Sequence, residues 1–275
     1  LAFLPGLREI RQTADELEAF ARDQGLAVLP LHGDLPPEQQ DRALQKLDRR
    51  KVVLATNVAE TSVTVEGVTA VVDTGLARVN EFDPSVGMDR LQLRPISRAS
   101  ADQRAGRAGR TRPGVCVRLW DEPGQRSRAE QTEPEIRRVD LASAVLNLLA
   151  LGEADVSRFP WLEPPRPEAV AHSLELLRLL EAVRDGAITP LGRELATLPV
   201  HPRVGRLLLE GVRLGQPDRC ALAAAVLSER DPFLRDDGRP RTPPPTDSDV
   251  LDRVEALEAY ERTGRLDHPA GRLHR

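Results

Sequence analysis

From Leu1 to Trp120 the chain alternates short, continuous apolar runs with amphipathic stretches, and this alternation restricts the fold more than any other feature of the sequence. The runs are "LAFL", "LAVLPL", "KVVLAT", "VTAVVDTG" and "VCVRLW". Between the first two, Leu7, Ile10, Leu17 and Phe20 recur at helical spacing, and "EQQDRALQKL" follows Pro36 and Pro37. Strands buried on both faces read as unbroken apolar runs, and helices between them supply the crossovers, so the pattern predicts an α/β domain with a mostly parallel sheet.

Between "VVDTG" and the next strand, "LARVNEFDPSVGMDRLQLRPIS" places two extended runs around "DPSVG", the signature of a β-hairpin over about 78–94. After Asp121 the strand pattern stops. "DLASAVLNLLALG", "PEAVAHSLELLRLLEAV", "PLGRELATL", "PRVGRLLLEGVRLG" and "DRCALAAAVLSER" read as helices, with Gly152 and Gly215 as terminators. The proline-rich stretch 235–249 is expected to be a loop, followed by a helix from about Val250 to Arg262.

Net charge is only -4, so any nucleic-acid site must be local rather than a property of the whole surface. Among 39 basic residues only Lys46 and Lys51 are lysines, which weakens any single arginine as a signal. Cys116 and Cys220 lack the spacing of a disulfide framework or a zinc site, and the five histidines show no metal-ligand spacing. The cysteine usage fits a reducing cytoplasm, and no apolar run approaches the roughly 18 residues of a membrane span, so no membrane partner is expected. The chain opens on Leu1 inside an apolar run without an initiator Met, and a fragment of a longer protein is the expectation.

In an open parallel sheet, ligands meet the loops beyond the carboxyl ends of the strands. Three such loops carry chemistry. "LPLHGD" ends one strand. "ATNVAETSVT" sets Thr56, Asn57, Thr61, Ser62 and Thr64 directly after another, and such groups suit phosphate, ribose or backbone partners as well as helix capping. "QRAGRAGR" repeats Arg104, Arg107 and Arg110 every three residues with Gly106 and Gly109 between them. With Ser100 as a cap, Arg107 and Arg110 would share a helix face, and the small residues would admit a phosphate. Guanidinium forks match a spread phosphoryl charge. Taken alone, the stretch fits a phosphate site and a solvated arginine face equally well.

In order, "LAFLPGLREI", "LHGDLPPEQQ", "VVLATNVAETSVTVEGVTAVVDTG" and "QRAGRAGRTRPG" resemble the second RecA-like domain of the DEAH-box ATP-dependent RNA helicases, with closest likeness to the bacterial HrpB group. The resemblance is specific from Leu1 to about Trp120 and looser through "LEPPRPEAVAHSLELLRLLEAV" and "ITPLGRELATLPVHPRVGRLLL". It implies a RecA-like, P-loop-NTPase-type parallel-sheet domain over 1–122 with a hairpin insertion. A winged-helix-like domain over 123–198 and the start of a helical ratchet bundle over 199–275 would follow.

By that resemblance Arg107 and Arg110 correspond to arginine fingers on the γ-phosphate of ATP, and Gln103 helps to position the attacking water. Ser62 matches a γ-phosphate sensor, and Thr64 and Glu66 match ribose contacts, with Glu66 where the family often has Asp. Leu44 stands where eukaryotic relatives place an aromatic that stacks on adenine. Gly6, Arg8, His32, Gly33, Thr56, Asn57 and Thr61 match contacts to the backbone of single-stranded or structured RNA, DNA being the other candidate. The implied cofactor is ATP with Mg2+, whose Walker A and metal ligands belong to an N-terminal RecA-like domain; whether an activator protein is a further partner is not legible in the sequence.

Neither G-x-x-x-x-G-K-[ST] nor D-E-x-H occurs in the chain. Half an ATP site is therefore expected here, and the chain alone is expected to be inactive. The alternative from the sequence is a non-catalytic RNA-binding or regulatory module derived from a helicase.

Overall fold

The computed structural model describes residues 1–61, 63–83, 87–110, 112–229, 231–233, 247–268 and 271–273. The chain divides into two compact units, Leu1–Asp140 and Leu141–Arg275.

The first unit opens with β1 (Ala2–Phe3), α1 (Leu7–Asp23), β2 (Ala27–Leu31), α2 (Pro37–Leu44), β3 (Lys51–Ala55) and β4 (Ala70–Asp73). The antiparallel hairpin of β5 (Leu76–Asp83) and β6 (Met88–Pro95) follows, then α3 (Arg98–Gly106), β7 (Val115–Arg118) and α4 (Glu122–Ser127). The five apolar runs form one parallel sheet in the order β2-β3-β1-β4-β7. Their register brings the last residues of all five strands into a single row, Leu31, Ala55, Phe3, Asp73 and Arg118. Phe3, Leu31, Val53, Ala55 and Val71 are buried there with Ala43 from α2 and Ala108 from the turn after α3. β2 and β3 expose no residue on either face, as continuous apolar runs require, whereas β4 and β7 alternate, with Val72, Val115 and Val117 exposed.

The hairpin lies where the sequence places it, with Val79 opposite Gln92 and Glu81 opposite Arg90; the Pro84–Val86 tip of its turn falls outside the described residues. Residues 122–140 return to the first unit. Arg98 and Ala99 donate their amides to the carbonyls of Ala129 and Glu130, and Arg128 Nη1 donates to the carbonyls of Gly75 at 2.8 Å and Ile96 at 2.9 Å. The contact boundary after Asp140 therefore lies beyond the change of pattern near residue 122.

The second unit is mainly helical: α5 (Ala142–Ala150), α6 (Pro167–Leu179), a small β8 (Val183–Arg184) and β9 (Ala187–Ile188) hairpin, α7 (Pro190–Ala196), α8 (Pro202–Arg213), α9 (Pro217–Ser228) and α10 (Asp249–Thr263). The helical reading of this half leaves out the hairpin wing between α6 and α7 and a second short antiparallel pair, Asp267–His268 with Gly271–Arg272. Helices α5 and α6 end ahead of turns that bury Val156, Ala182 and Val183, and Gly152 (φ +97°) and Gly215 (φ +69°) adopt the left-handed backbone expected of terminators. Of the stretch 235–249, residues 235–246 lie outside the described residues, and α10 begins at Asp249 behind the Ser248 cap. Among the described residues no helix is long and apolar enough to cross a membrane.

Candidate functional site

The row that closes the sheet positions the candidate residues. Immediately beyond it come His32 and Gly33 after β2, Thr56 and Asn57 after β3, and Gly6 and Arg8 at the start of α1 after β1. These are adjacent strands, so the three loops share one edge of the domain. Arg8, Gly33, Asn57 and Thr61 are exposed, whereas Gly6 and His32 are buried. Gly6 also has a packing role: a Cβ there would lie 2.6 Å from Arg78 Nε, whose guanidinium pairs with Glu9 at 3.0 Å.

The arginine stretch folds differently from the simple helical face that spacing alone suggests. Ser97, not Ser100, caps α3, its Oγ accepting the Ser100 amide at 3.1 Å. The α-helix stops at Gly106, a residue of low helix propensity. The chain then tightens into successive i to i−3 bonds, Arg107 to Arg104, Ala108 to Ala105 and Gly109 to Gly106, at 3.1, 3.1 and 3.3 Å. Such turns have three residues per turn, so a three-residue arginine repeat stays on one side. Arg104, Arg107 and Arg110 all bond to the loop Glu60–Thr64.

Their partners separate them into two classes. Arg104 is 1% exposed and fully neutralised: Nε meets Glu60 Oε2 at 2.9 Å, Nη1 meets Asp73 Oδ1 at 3.0 Å, and its guanidinium lies 4.7 Å from the centre of the Phe3 ring. Glu60 also accepts from Ser100 Oγ. Among the described residues Arg107 donates to neutral oxygens, the carbonyls of Glu60 and, at 2.9 Å, Val63. Arg110 donates to Thr64 Oγ1. Among the described residues no carboxylate pairs with Arg107 or Arg110.

Burial, and then the positive charge of Arg110, push the Arg107 guanidinium below its ordinary range, with Glu60 opposing. A guanidinium does not lose its proton in a protein, so the shift describes a partly desolvated cation that an anion would stabilise. A Cβ added at Gly106 or Gly109 would meet nothing within 4 Å among the described residues beyond its chain neighbours and its own turn. Gln103 is exposed on the last turn of α3. Thr64 and Glu66 are exposed, and the Glu66 amide donates to the carbonyl of Leu44 at 3.0 Å, bringing the end of α2 to the same loop. Leu44 itself is half-buried against the sheet core. Ser62 lies outside the described residues.

Residues 3–112 match the helicase conserved C-terminal domain, and residues 173–200 match the winged-helix helicase associated domain, HA2. The solved structure of the Escherichia coli DEAH/RHA helicase HrpB superposes with a TM-score of 0.78 at 32% identity, over 96% of this chain and 33% of that one. The ATP-dependent RNA helicase HrpA of Escherichia coli K12 is 42% identical over 241 residues, covering 86% of this chain and 18% of HrpA. The chain belongs to the DEAH-box helicase family. The probable ATP-dependent RNA helicase DHX34 of Mus musculus (41% identical, 86% of this chain, 21% of that protein) and the Schizosaccharomyces pombe pre-mRNA-splicing factor prp22 (40%, 83% and 20%) are further relatives. The chain thus spans about one fifth of the length of these curated relatives.

For this helicase segment, reading the sequence missed the ionic group of Glu60, Asp73 and Arg104. A signal was present. Asp73 is an acid inside the apolar run "AVVDTG", and a buried carboxylate requires a cation. Of three equivalent arginines, however, only the fold tells which one supplies it.

Proposed function

We propose that this chain supplies the arginine half of an ATP site and a nucleic-acid-binding edge to an ATP-dependent RNA helicase. The observation that carries the proposal is the pair Arg107 and Arg110: neighbouring guanidiniums, held by neutral oxygens and matched to no carboxylate among the described residues. An anion with several equatorial oxygens completes such a pair, and γ-phosphate is the anion that the family points to. Both arginines exchange a carbonyl or hydroxyl acceptor for phosphoryl oxygens as charge develops in the transition state. Preorganised cations of this kind contribute about 10³ to 10⁵ in rate.

Gln103 then orients the attacking water, Ser62 reads the γ-phosphate, Thr64 and Glu66 hold the ribose, and Leu44 gives the base an aliphatic contact without a π-stack. Mg2+ is held by carboxylates outside this chain, in which D-E-x-H does not occur. The Walker A loop and the metal carboxylate are contributed by an N-terminal RecA-like domain, and this chain alone does not turn over ATP. RNA crosses the edge formed by Gly6, Arg8, His32, Gly33, Thr56, Asn57 and Thr61 and is held through phosphate and sugar, which makes binding salt-dependent and weakly selective.

The test is RNA-stimulated ATPase of the full-length protein carrying Arg107→Ala or Arg110→Ala, with RNA affinity measured in parallel. Turnover falls by about 10³ or more while RNA affinity stays within about threefold. Turnover within tenfold of the parent would return the chain to the reading of a non-catalytic RNA-binding module.

A further inference from the structure

Lys51 is one of two lysines in a chain that otherwise uses arginine, and its surroundings explain why. It opens β3, and its side chain reaches back to the end of α2, where Nζ donates to the carbonyls of Ala43 at 2.7 Å, Leu44 at 3.3 Å and Gln45 at 2.5 Å. The last carbonyls of a helix have no partner within it and carry the negative end of its dipole. A tetrahedral ammonium points three donors at three converging oxygens, whereas the donors of a planar guanidinium diverge in a fixed fork.

The Leu44 carbonyl is shared. It accepts from Lys51 Nζ and also from the Glu66 amide at 3.0 Å. Val65, buried in the sheet core, precedes Glu66, and Gly67 turns the chain immediately afterwards with φ +75°. Two residues before Glu66, Thr64 accepts from Arg110. One run of contacts therefore leads from Lys51 through Leu44 and Glu66 to Thr64 and the arginine pair. Burial lowers the Lys51 ammonium from its ordinary range and the Glu66 carboxylate opposes this, so the lysine is a partly desolvated cation held in place on both sides.

We infer that Lys51 is a positioning residue for nucleotide binding, which sets the distance between Leu44 at the base and Glu66 at the ribose by clamping the end of α2 to the first residue of β3. This rests on the reading that Leu44, Thr64 and Glu66 face the nucleotide. Lys51 itself touches neither base nor sugar in this proposal; it acts through the shared carbonyl.

The experiment uses the full-length protein with Lys51→Met, which keeps an apolar stem and removes the three donors. Under saturating RNA, KM for ATP rises about 5- to 10-fold and affinity for ADP falls by a similar factor, while kcat stays within about twofold. A lysine that merely stopped the helix would lower the melting temperature and the active fraction, and hence kcat, and would leave KM and ADP affinity where they were; that result overturns the proposal. Lys46→Met, an exposed lysine on the same connection, controls for loss of one charge and leaves both constants unchanged. Should Lys51→Met not fold, Lys51→Arg carries the same test, because it keeps the charge and loses the three-way convergence, and KM again rises. Arg107→Ala, run beside these, separates the two readings. Arg107→Ala inactive with KM unchanged in the Lys51 variants refutes the lysine's role alone, whereas an active Arg107→Ala refutes the nucleotide site on which it rests.

Discussion

Replacing Arg104 by Met removes the only cation from the most buried ionic group of the first unit. Asp73 is fully buried; its Oδ1 would keep only the Gly75 amide at 2.9 Å, and its Oδ2 has no hydrogen-bond partner even with Arg104 present. Glu60 would lose the bond to Arg104 Nε and keep Ser100. Stripping one partner from a buried pair leaves an uncompensated charge and costs about 3–5 kcal/mol, a large part of the roughly 5–15 kcal/mol that holds a domain together. At a urea slope of about 2 kcal/mol/M, the unfolding midpoint falls by about 1.5–2.5 M. Trp120 lies in the first unit and Trp161 in the second, so a Trp161→Phe background makes fluorescence report the first unit alone. Adding Asp73→Asn to Arg104→Met removes the orphaned charge and recovers part of the loss, a coupling that the double-mutant cycle measures directly. Arg110→Ala, exposed and joined among the described residues to a hydroxyl, costs no more than about 0.5 kcal/mol, which moves the same midpoint by about 0.25 M or less. A midpoint for Arg104→Met within about 0.3 M of the parent would refute the assignment of Arg104 to structure and of its neighbours to chemistry.

Gly75→Ala places a Cβ 2.2 Å from Arg128 Nη2 and 2.6 Å from the Trp120 ring at a φ of +71°, and urea unfolding followed through Trp120 should show a loss of about 2–4 kcal/mol. Gly106→Ala meets nothing within 4 Å among the described residues beyond its own turn and ends a helix, so urea unfolding should show stability level or raised by about 0.5–1 kcal/mol. The hydrogen bond from Arg94 holds the Glu81 carboxyl below its ordinary value of 4.5. With the folded value depressed, its contribution to the β5–β6 hairpin is present above pH 4.5 and is lost as pH falls through the folded value, so amide protection along β5 and β6 should decline below that pH and Glu81→Gln should flatten the profile.

The strands were legible because each is a short unbroken apolar run, although β4 and β7 have exposed residues on one face, and the hairpin because "DPSVG" separates two extended runs. The loops "LHGD" and "ATNV" were legible as a shared edge for the same reason, since strands that run parallel end together. What the residues alone misjudged was α3. Ser97 and Ser100 are equally good caps by type, and the choice depends on an extended backbone at Ser97 that the hairpin's return to Gly75 imposes. The three arginines have one residue type and one spacing, so nothing local distinguishes Arg104 from Arg107; Glu60 and Asp73 do so from 44 and 31 residues away in the chain. Lys51 was visible only as a rarity in the composition, because its three partners belong to a helix end whose position no periodicity fixes.

A structure of the full-length protein with ADP and aluminium fluoride tests the central claim most directly. The account predicts guanidinium nitrogens of Arg107 and Arg110 about 2.7–3.1 Å from fluoride, with Arg107 released from the carbonyls of Glu60 and Val63 while Arg104 keeps Glu60 and Asp73. A fluoride group bound wholly by other parts of the protein, with Arg107 still on those two carbonyls, would contradict it.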